Sequence, residues 1–325
     1  MRLVTLANET RDGHLHVVSQ DGKRALPVDA VKTLQEAMER WDAILPDLQT
    51  LSRAVEDSGE PFAPNQALAP FPRAVQWLDG SAFETHALLI QQAWGMPVTG
   101  LPDRPLMYQG LSDRFLAPTQ TAIFPSAEDG IDFEGEFGVI LGDVPMGTSA
   151  KDALQYVRLI VLINDWSLRA LGPIEMATGF GWLQCKPACS IAPFAVTPDE
   201  LGSAWRDGRV GLPLNIHRNG QEFGKANGAQ MKFGFDELIA HAAYSRDLPA
   251  GTILGSGTVA NANYAEMGSS CIAERRAIEL IETGTSETPF LTEGDRVTMS
   301  AQGPEGNDIF GAIDQSIQLV KATGV

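Results

Sequence analysis

Apolar positions along this chain follow two periods, and the points where one replaces the other outline its elements. Residues 1–27 carry two short β-prone segments, "RLVTLA" and "HLHVVS", separated by Asp-Gly turns at 12–13 and 21–22. They predict a small antiparallel meander. Val31, Leu34, Met38, Trp41 and Leu45 then recur at steps of three and four. This predicts an amphipathic helix ending near Pro46, since proline lacks the N–H that a helix interior needs. A second, weaker helix is expected over residues 47–57. "SGEPFAPNQALAPFPRA" is punctuated by proline and glycine, so the chain is expected to cross here from a small domain, residues 1–72, to a large one, residues 73–325.

Beyond that crossing the two-residue period dominates. "GEFGVILG", "RLIVLIND", "SIAPFAVT", "LPLNIHRNGQEFG", "TILGSGTVA" and "DRVTMSAQG" all read as strands bounded by turn residues. Helices are few. Ser149 with Asp152 forms a candidate capping box before "ALQYVRL", and "FDELIAHAAY" sets Leu238, Ile239 and Ala242 on one side. The class predicted is α+β, mainly β, with no internal repeat.

One run breaks the apolar pattern with charge. "GIDFEGEFGVILGD" places Asp132, Glu134 and Glu136 at alternating positions, so that Glu134 and Glu136 share a face of an extended chain. Phe133, Phe137, Val139, Ile140 and Leu141 point to burial, and buried like charges need a compensating cation. The ordinary alternative is an exposed acidic face on a half-buried strand. Asp165 ends the run "LIVLIN" and is delivered at the carboxyl end of a strand; its alternative is an N-cap for "WSLRAL". Asp79 lies in "QWLDGSAFETH". Three or four carboxylates with no His₂ or Cys pattern suit a hard divalent cation, magnesium, calcium or manganese, rather than zinc or copper.

Composition narrows the class of partner. With 24 Lys and Arg against 41 Asp and Glu, the formal charge is −17, which argues against nucleic acid and against an anionic membrane surface. No apolar run reaches the length of a membrane span, and "MRLVTLANETRDG" turns polar too soon for a secretory signal, so a cytoplasmic location is expected. Cys185, Cys189 and Cys271 are expected to be reduced, mostly buried thiols, and Cys185 with Cys189 lacks the second pair that a zinc site requires. Gly255-x-Gly257-x-x-Ala260 fits a dinucleotide fingerprint by letter, but "NANYAEMGSS" after it is a poor helix, so that reading is rejected.

Taken together, "PLMYQGLSDRFL", "DFEGEFGVILGDVPMG", "LINDWSLRAL" and "SGTVAN" resemble the fumarylacetoacetate hydrolase family in order and spacing, from about residue 76 to the end. Residues 1–70 resemble the small N-terminal domain of the same hydrolases. The resemblance implies a mixed β-roll catalytic domain, a homodimer, and a metal, Mg²⁺ or Ca²⁺ with Mn²⁺ as a further candidate, held by Asp79, Glu134, Glu136 and Asp165. It implies a general base at His86, seven residues after Asp79, oriented by a glutamate soon after "GSS". Ile272 sits near that aligned position, and Glu274 serves only if the register slips by two residues. Lys186, in "LQCKPACS", is similar to the family's lysine that stabilises an oxyanion; its alternative is a surface lysine. Tyr108 and Thr258 correspond to substrate contacts, and Arg169 either binds a substrate carboxylate or pairs with Asp165.

The reaction implied is hydrolytic cleavage of a carbon–carbon bond in a small anionic 1,3-diketo acid, such as fumarylacetoacetate in tyrosine and phenylalanine breakdown. Other members of the family are decarboxylases, isomerases and hydratases, which form the alternative within enzymes. A catalytically silent, metal-bound interaction protein is the alternative outside them. The intact set Asp79, His86, Glu134, Glu136, Asp165 and Lys186 speaks against it.

Overall fold

The computed structural model describes residues 1–320. The N-terminal meander and the larger part of the chain share one mixed sheet of eleven strands. Across it run Glu60–Pro61, Arg24–Pro27, His14–Val18, Arg2–Leu6, Phe194–Val196, Val157–Asn164, Gly135–Leu141, Thr252–Gly255, Gln76–Ser81 and Leu106–Gln109, with Ser190–Ile191 paired to Val157–Asn164. Thr252–Gly255 lies parallel to Gln76–Ser81, and the other neighbours are antiparallel. The sheet does not break where the chain passes residues 72 and 73, because Arg2–Leu6 pairs directly with Phe194–Val196.

A second sheet of five strands covers one face of the first: Gln221–Gly224, Leu214–Arg218, Arg296–Ala301, Ile313–Leu319 and Ala122–Phe124. Phe137, Val139 and Leu141 pack with Leu214, Ile216, Val297, Met299 and Ile313 in the core between the sheets. On the opposite face Ile140, Leu159, Val161 and Ile163 pack with Trp41, Ile44, Leu48 and Val55 of a helix. Gly135–Leu141 is therefore buried on both sides, which is why its sequence reads as a near-continuous apolar run.

The first helices depart from the periodicity reading. Leu34–Glu39 stops at Arg40, whose backbone leaves the helical region (φ −122°, ψ 21°), and Trp41–Ser58 then runs through Pro46. Proline costs about 3 kcal/mol inside a helix. Four buried side chains on the face crossing it, at roughly 1.5–3 kcal/mol each, offset that loss. The candidate capping box also differs: Ser149 Oγ donates to the Asp152 carboxylate (2.7 Å) instead of capping a backbone N–H. The helix there is only Ala150–Ala153, and the strand Val157–Asn164 claims the residues beyond.

Phe235–Ala242 forms as expected, with Leu238 and Ile239 buried. Two further helices, Glu84–Ala93 and Ile272–Thr283, pack together through Leu89, Ala277 and Ile278. Periodicity misses Ile272–Thr283 because one of its inward positions is Glu274, a charge where an apolar residue would be expected. No helix among the described residues is long and apolar enough to cross a membrane.

Candidate metal centre and active site

The sheet order brings together carboxylates that are far apart in sequence. Asp79 lies on Gln76–Ser81, Glu136 on Gly135–Leu141, and Asp165 directly follows Val157–Asn164. Thr252–Gly255 runs between the first two, with Gly255 in register with Asp79. A Cβ at Gly255 would fall 2.4 Å from the Trp77 ring, 2.5 Å from Asp79 Oδ1 and 2.9 Å from Glu136 Oε2. Only glycine lets the two carboxylates approach across this strand. Oxygens of Asp79, Glu136 and Asp165 all lie within 4.8 Å of one another, and all three residues are buried. The exposed-face alternative for the acidic strand fails, since Glu134 is 6% exposed and Glu136 0%.

Electrostatics separate the acids into two groups. Burial raises Asp79 and Glu136 well above the usual carboxylate range, and the adjacent charge of Asp165 pushes both further. Burial acts on Glu134 in the same sense, but the charges of Arg169 and Lys186 outweigh it and hold Glu134 well below its usual value. Both of its oxygens also have protein partners. Thr258 Oγ1 donates to Oε2 at 2.7 Å, Ser167 Oγ to Oε1 at 2.8 Å, and Arg169 Nη2 and Lys186 Nζ lie 2.7 and 3.1 Å from Oε1. Glu134 thus stands beside the group of three, bound by protein cations and hydroxyls.

Lys186 is 8% exposed, so it is not a surface lysine; Nζ donates to Asp165 Oδ2 (2.6 Å) and Ser167 Oγ (2.8 Å) as well as to Glu134. Burial disfavours its charge, but Asp165 and Glu134 more than restore it and raise its pKa. Arg169 pairs with Asp132 (Nε to Oδ2, 2.8 Å) and with Glu134, and not with Asp165. The reason is backbone conformation: Ser167–Leu168 is a strand paired with Ile131–Asp132, and residues four apart meet only on a helix. The same strand removes the N-cap alternative for Asp165, since the next helix along the chain begins only at Gly172.

Tyr108 faces Asp79 in the strand register, and its hydroxyl donates to Asp165 Oδ2 at 2.8 Å. Its ring meets Trp182 edge-on (4.9 Å), with Lys186 Nζ 5.3 Å from its centre. His86, on Glu84–Ala93, lies with Nδ1 2.9 Å from Glu274 Oε2. It is Glu274 that turns toward His86, while Ile272 is the buried first residue of the Ile272–Thr283 helix.

Contacts absent from the sequence reading complete the site. Cys189 Sγ donates to Asp165 Oδ1 (2.9 Å), and Gly257 N, at φ +78°, donates to Glu136 Oε2 (3.1 Å) and Asp79 Oδ1 (3.3 Å). Ser167 and Trp182 also went unmarked. Each lies within four residues of a residue already named, Asp165, Lys186 or Thr258, but no periodic pattern in the sequence shows that its side chain or N–H turns to the carboxylates. The three cysteines are buried and unpaired, as their number implied.

The residues fit a divalent cation. Asp79, Asp132, Glu134, Glu136 and Asp165 are buried, while Lys186 and Arg169 are the two cations paired with them. Glu136 Oε1 is buried with no hydrogen-bond partner. An anionic, all-oxygen group with an unpartnered oxygen is a hard-cation donor set.

The fumarylacetoacetate (FAA) hydrolase C-terminal family matches residues 76–318, and fumarylacetoacetase N-terminal domain 2 matches residues 1–73. The chain belongs to the fumarylacetoacetate hydrolase family. Enzymes of the fumarylacetoacetate hydrolase family depend on a divalent metal, in keeping with the acidic group here. A 2,4-didehydro-3-deoxy-L-rhamnonate hydrolase from Sphingomonas sp. (strain SKA58) is 27% identical over 182 residues, 55% of this chain and 59% of that protein. The match thus spans less than two thirds of that relative. Two solved structures share the fold over nearly their whole length. Maleylpyruvate hydrolase from Sphingobium sp. SYK-6 aligns with a TM-score of 0.67 at 14% identity, covering 98% of this chain and 100% of that one. The 5-carboxymethyl-2-hydroxymuconate delta-isomerase from Mycobacterium smegmatis aligns at 0.64 and 16%, covering 98% and 99%. A further structure of the maleylpyruvate hydrolase is a complex with manganese(II) and pyruvate.

Proposed function

We propose that this family member hydrolyses a carbon–carbon bond in a 1,3-diketo acid such as fumarylacetoacetate, giving fumarate and acetoacetate. The observation that carries this reading is the His86–Glu274 pair, 2.9 Å apart, with Glu274 three residues past Cys271, which bridges to Glu134. With Glu274 accepting from Nδ1, the imidazole keeps Nε2 free to take a proton from water as it attacks the carbonyl. Metal-assisted decarboxylation needs no such base. Asp79, Glu136 and Asp165, with Glu134 as the fourth carboxylate, would hold Mg²⁺, Ca²⁺ or Mn²⁺, which supplies Lewis-acid polarisation of the two ketonic oxygens.

Lys186 balances Asp165 and Glu134 and offers a fixed positive charge to an oxygen that becomes negative, a contribution of about 2.7–4 kcal/mol for a well-placed donor. Through the hydroxyl it now donates to Asp165, Tyr108 would meet substrate. Arg169 and Thr258 reach it only by giving up their bonds to Glu134. The same reading makes the active form a cytoplasmic homodimer, which light scattering on the purified protein tests for its subunit count.

The deciding measurement is paired. Wild type and His86→Asn are assayed at saturating magnesium for fumarylacetoacetate hydrolysis and oxaloacetate decarboxylation. The variant should retain metal and lose hydrolysis by about 100-fold or more, the usual size of a general-base contribution, while any decarboxylation survives. If wild type only decarboxylates and the variant matches it, His86 is a bystander and the decarboxylase or isomerase reading replaces this one.

A further inference from the structure

We infer that Asp132 is a positioning residue that fixes the start of the Ile272–Thr283 helix and thereby aims Glu274 at His86; this rests on the hydrolase reading above. Asp132 has no exposed surface, and the hydrogen bonds of its carboxylate go to Ile272, Ala273 and Arg169. Its Oδ1 accepts from the backbone N–H of Ile272 (2.7 Å), and its Oδ2 from that of Ala273 (2.9 Å) and from Arg169 Nε (2.8 Å). A helix begins with N–H groups that have no partner within it. Here two of them are satisfied by a carboxylate 140 residues away in sequence.

The local cap is weak by comparison. Cys271 occupies the N-cap position, and its sulfur accepts from Glu274 N at 3.3 Å, where serine, threonine, asparagine or aspartate is preferred. The helix start is thus referenced to the acidic strand rather than to its own sequence. Glu274 is the third residue of that helix and is fully buried, so a shift of the first turn moves its carboxylate directly. Asp132 also shares Arg169 with Glu134, two residues further along the chain. One side chain therefore ties the helix that carries Glu274 to Arg169, which in turn pairs with Glu134. Asp132 touches none of the atoms that would react, so it acts through Glu274.

Asp132→Asn tests this in the full-length, Mn²⁺-loaded protein. The amide nitrogen would face the Ala273 N–H and Arg169 Nε, setting donor against donor. Turnover of fumarylacetoacetate should fall by about 10- to 100-fold, the scale set by a catalytic group displaced by about 1 Å, with little change in KM. Calorimetric Mn²⁺ affinity should stay within about threefold, because the group of three is left intact. The ¹⁵N resonances of the His86 ring should move from a single Nδ1–H tautomer toward a mixture, which a merely structural role would not produce. The double variant with Glu274→Gln should be no slower than the worse single variant.

Wild-type turnover in Asp132→Asn alongside an impaired Glu274→Gln overturns the inference, as do multiplying losses in the double variant. If Glu274→Gln itself turns over normally, it is the hydrolase reading's histidine–glutamate pair that fails. Should Asp132→Asn not fold, Ile272→Pro removes only the Oδ1 member of the two backbone bonds to Asp132, together with the buried Ile272 side chain, at a first helical position that favours proline and follows an extended residue. It should lower turnover and shift the His86 resonances in the same direction; unchanged values for both overturn the inference.

Discussion

Glu136 lies on the strand Gly135–Leu141 and Glu134 just before it, yet their surroundings drive their protonation in opposite directions. Arg169 and Lys186 hold Glu134 ionised, whereas Glu136 faces Asp79 and Asp165 and keeps one buried oxygen unpartnered. The strand period shows that the pair shares a face; the difference depends on which cations arrive from residues 169 and 186. Glu136→Gln should therefore weaken Mn²⁺ binding by more than about tenfold, since one anionic ligand is lost from a hard-cation site. Metal-free, the same variant should be at least as stable as wild type, because a repelled buried charge is replaced by a neutral group of the same shape. Calorimetry and thermal unfolding with EDTA check the two halves. Equal Mn²⁺ affinity would show that Glu136 is not a ligand.

At the scale of elements, the site depends on Thr252–Gly255 threading between the strands that bear Asp79 and Glu136. Parallel pairing with Gln76–Ser81 cannot be read from either segment, since the partner lies about 175 residues away and each has an ordinary apolar pattern. Gly255 is the position where this arrangement admits no side chain. Gly255→Ala should cost about 1–3 kcal/mol from overpacking and also weaken Mn²⁺ binding, because the new methyl group meets Trp77, Asp79 and Glu136 together. Denaturant unfolding and Mn²⁺ titration measure both. A variant as stable as wild type would mean that the strands part at no cost and that the close approach is not constrained. The helices tell a similar story: the Glu84–Ala93 and Ile272–Thr283 pair is joined by His86 and Glu274 as well as by an apolar contact.

For the whole molecule, the buried acids link folding to metal and pH. Asp79 and Glu136 have folded-state pKa values raised above those of the unfolded chain, so the folded protein holds protons that the unfolded chain releases. Their contribution to stability is complete below the ordinary carboxylate pKa of about 4 and is lost as pH rises through the raised values. A divalent cation binds the deprotonated group in the folded state only, so its stabilisation grows over the same range. The gap between melting temperatures with saturating Mn²⁺ and with EDTA should therefore widen as pH rises from about 4 toward neutrality. A gap that stays constant with pH would place the cation elsewhere or show that these carboxylates are ionised without it.

Local chemistry in the sequence was enough for the meander, the apolar strands, the helix at residues 235–242 and the acids that alternate with apolar residues. Each is set by period, turn residues or burial tendency within a few residues. The family motifs added His86, Lys186 and Tyr108 as candidate site residues. Tertiary structure decided the rest, because contacts between distant segments have no local signature. It chose Asp132 and Glu134 as the partners of Arg169, joined Glu274 to His86 through a helix with a charged inward position, and carried a helix through Pro46 on the strength of its buried face. Period and propensity act over one or two turns of chain, whereas the charge balance of a buried site is a sum over every strand that reaches it.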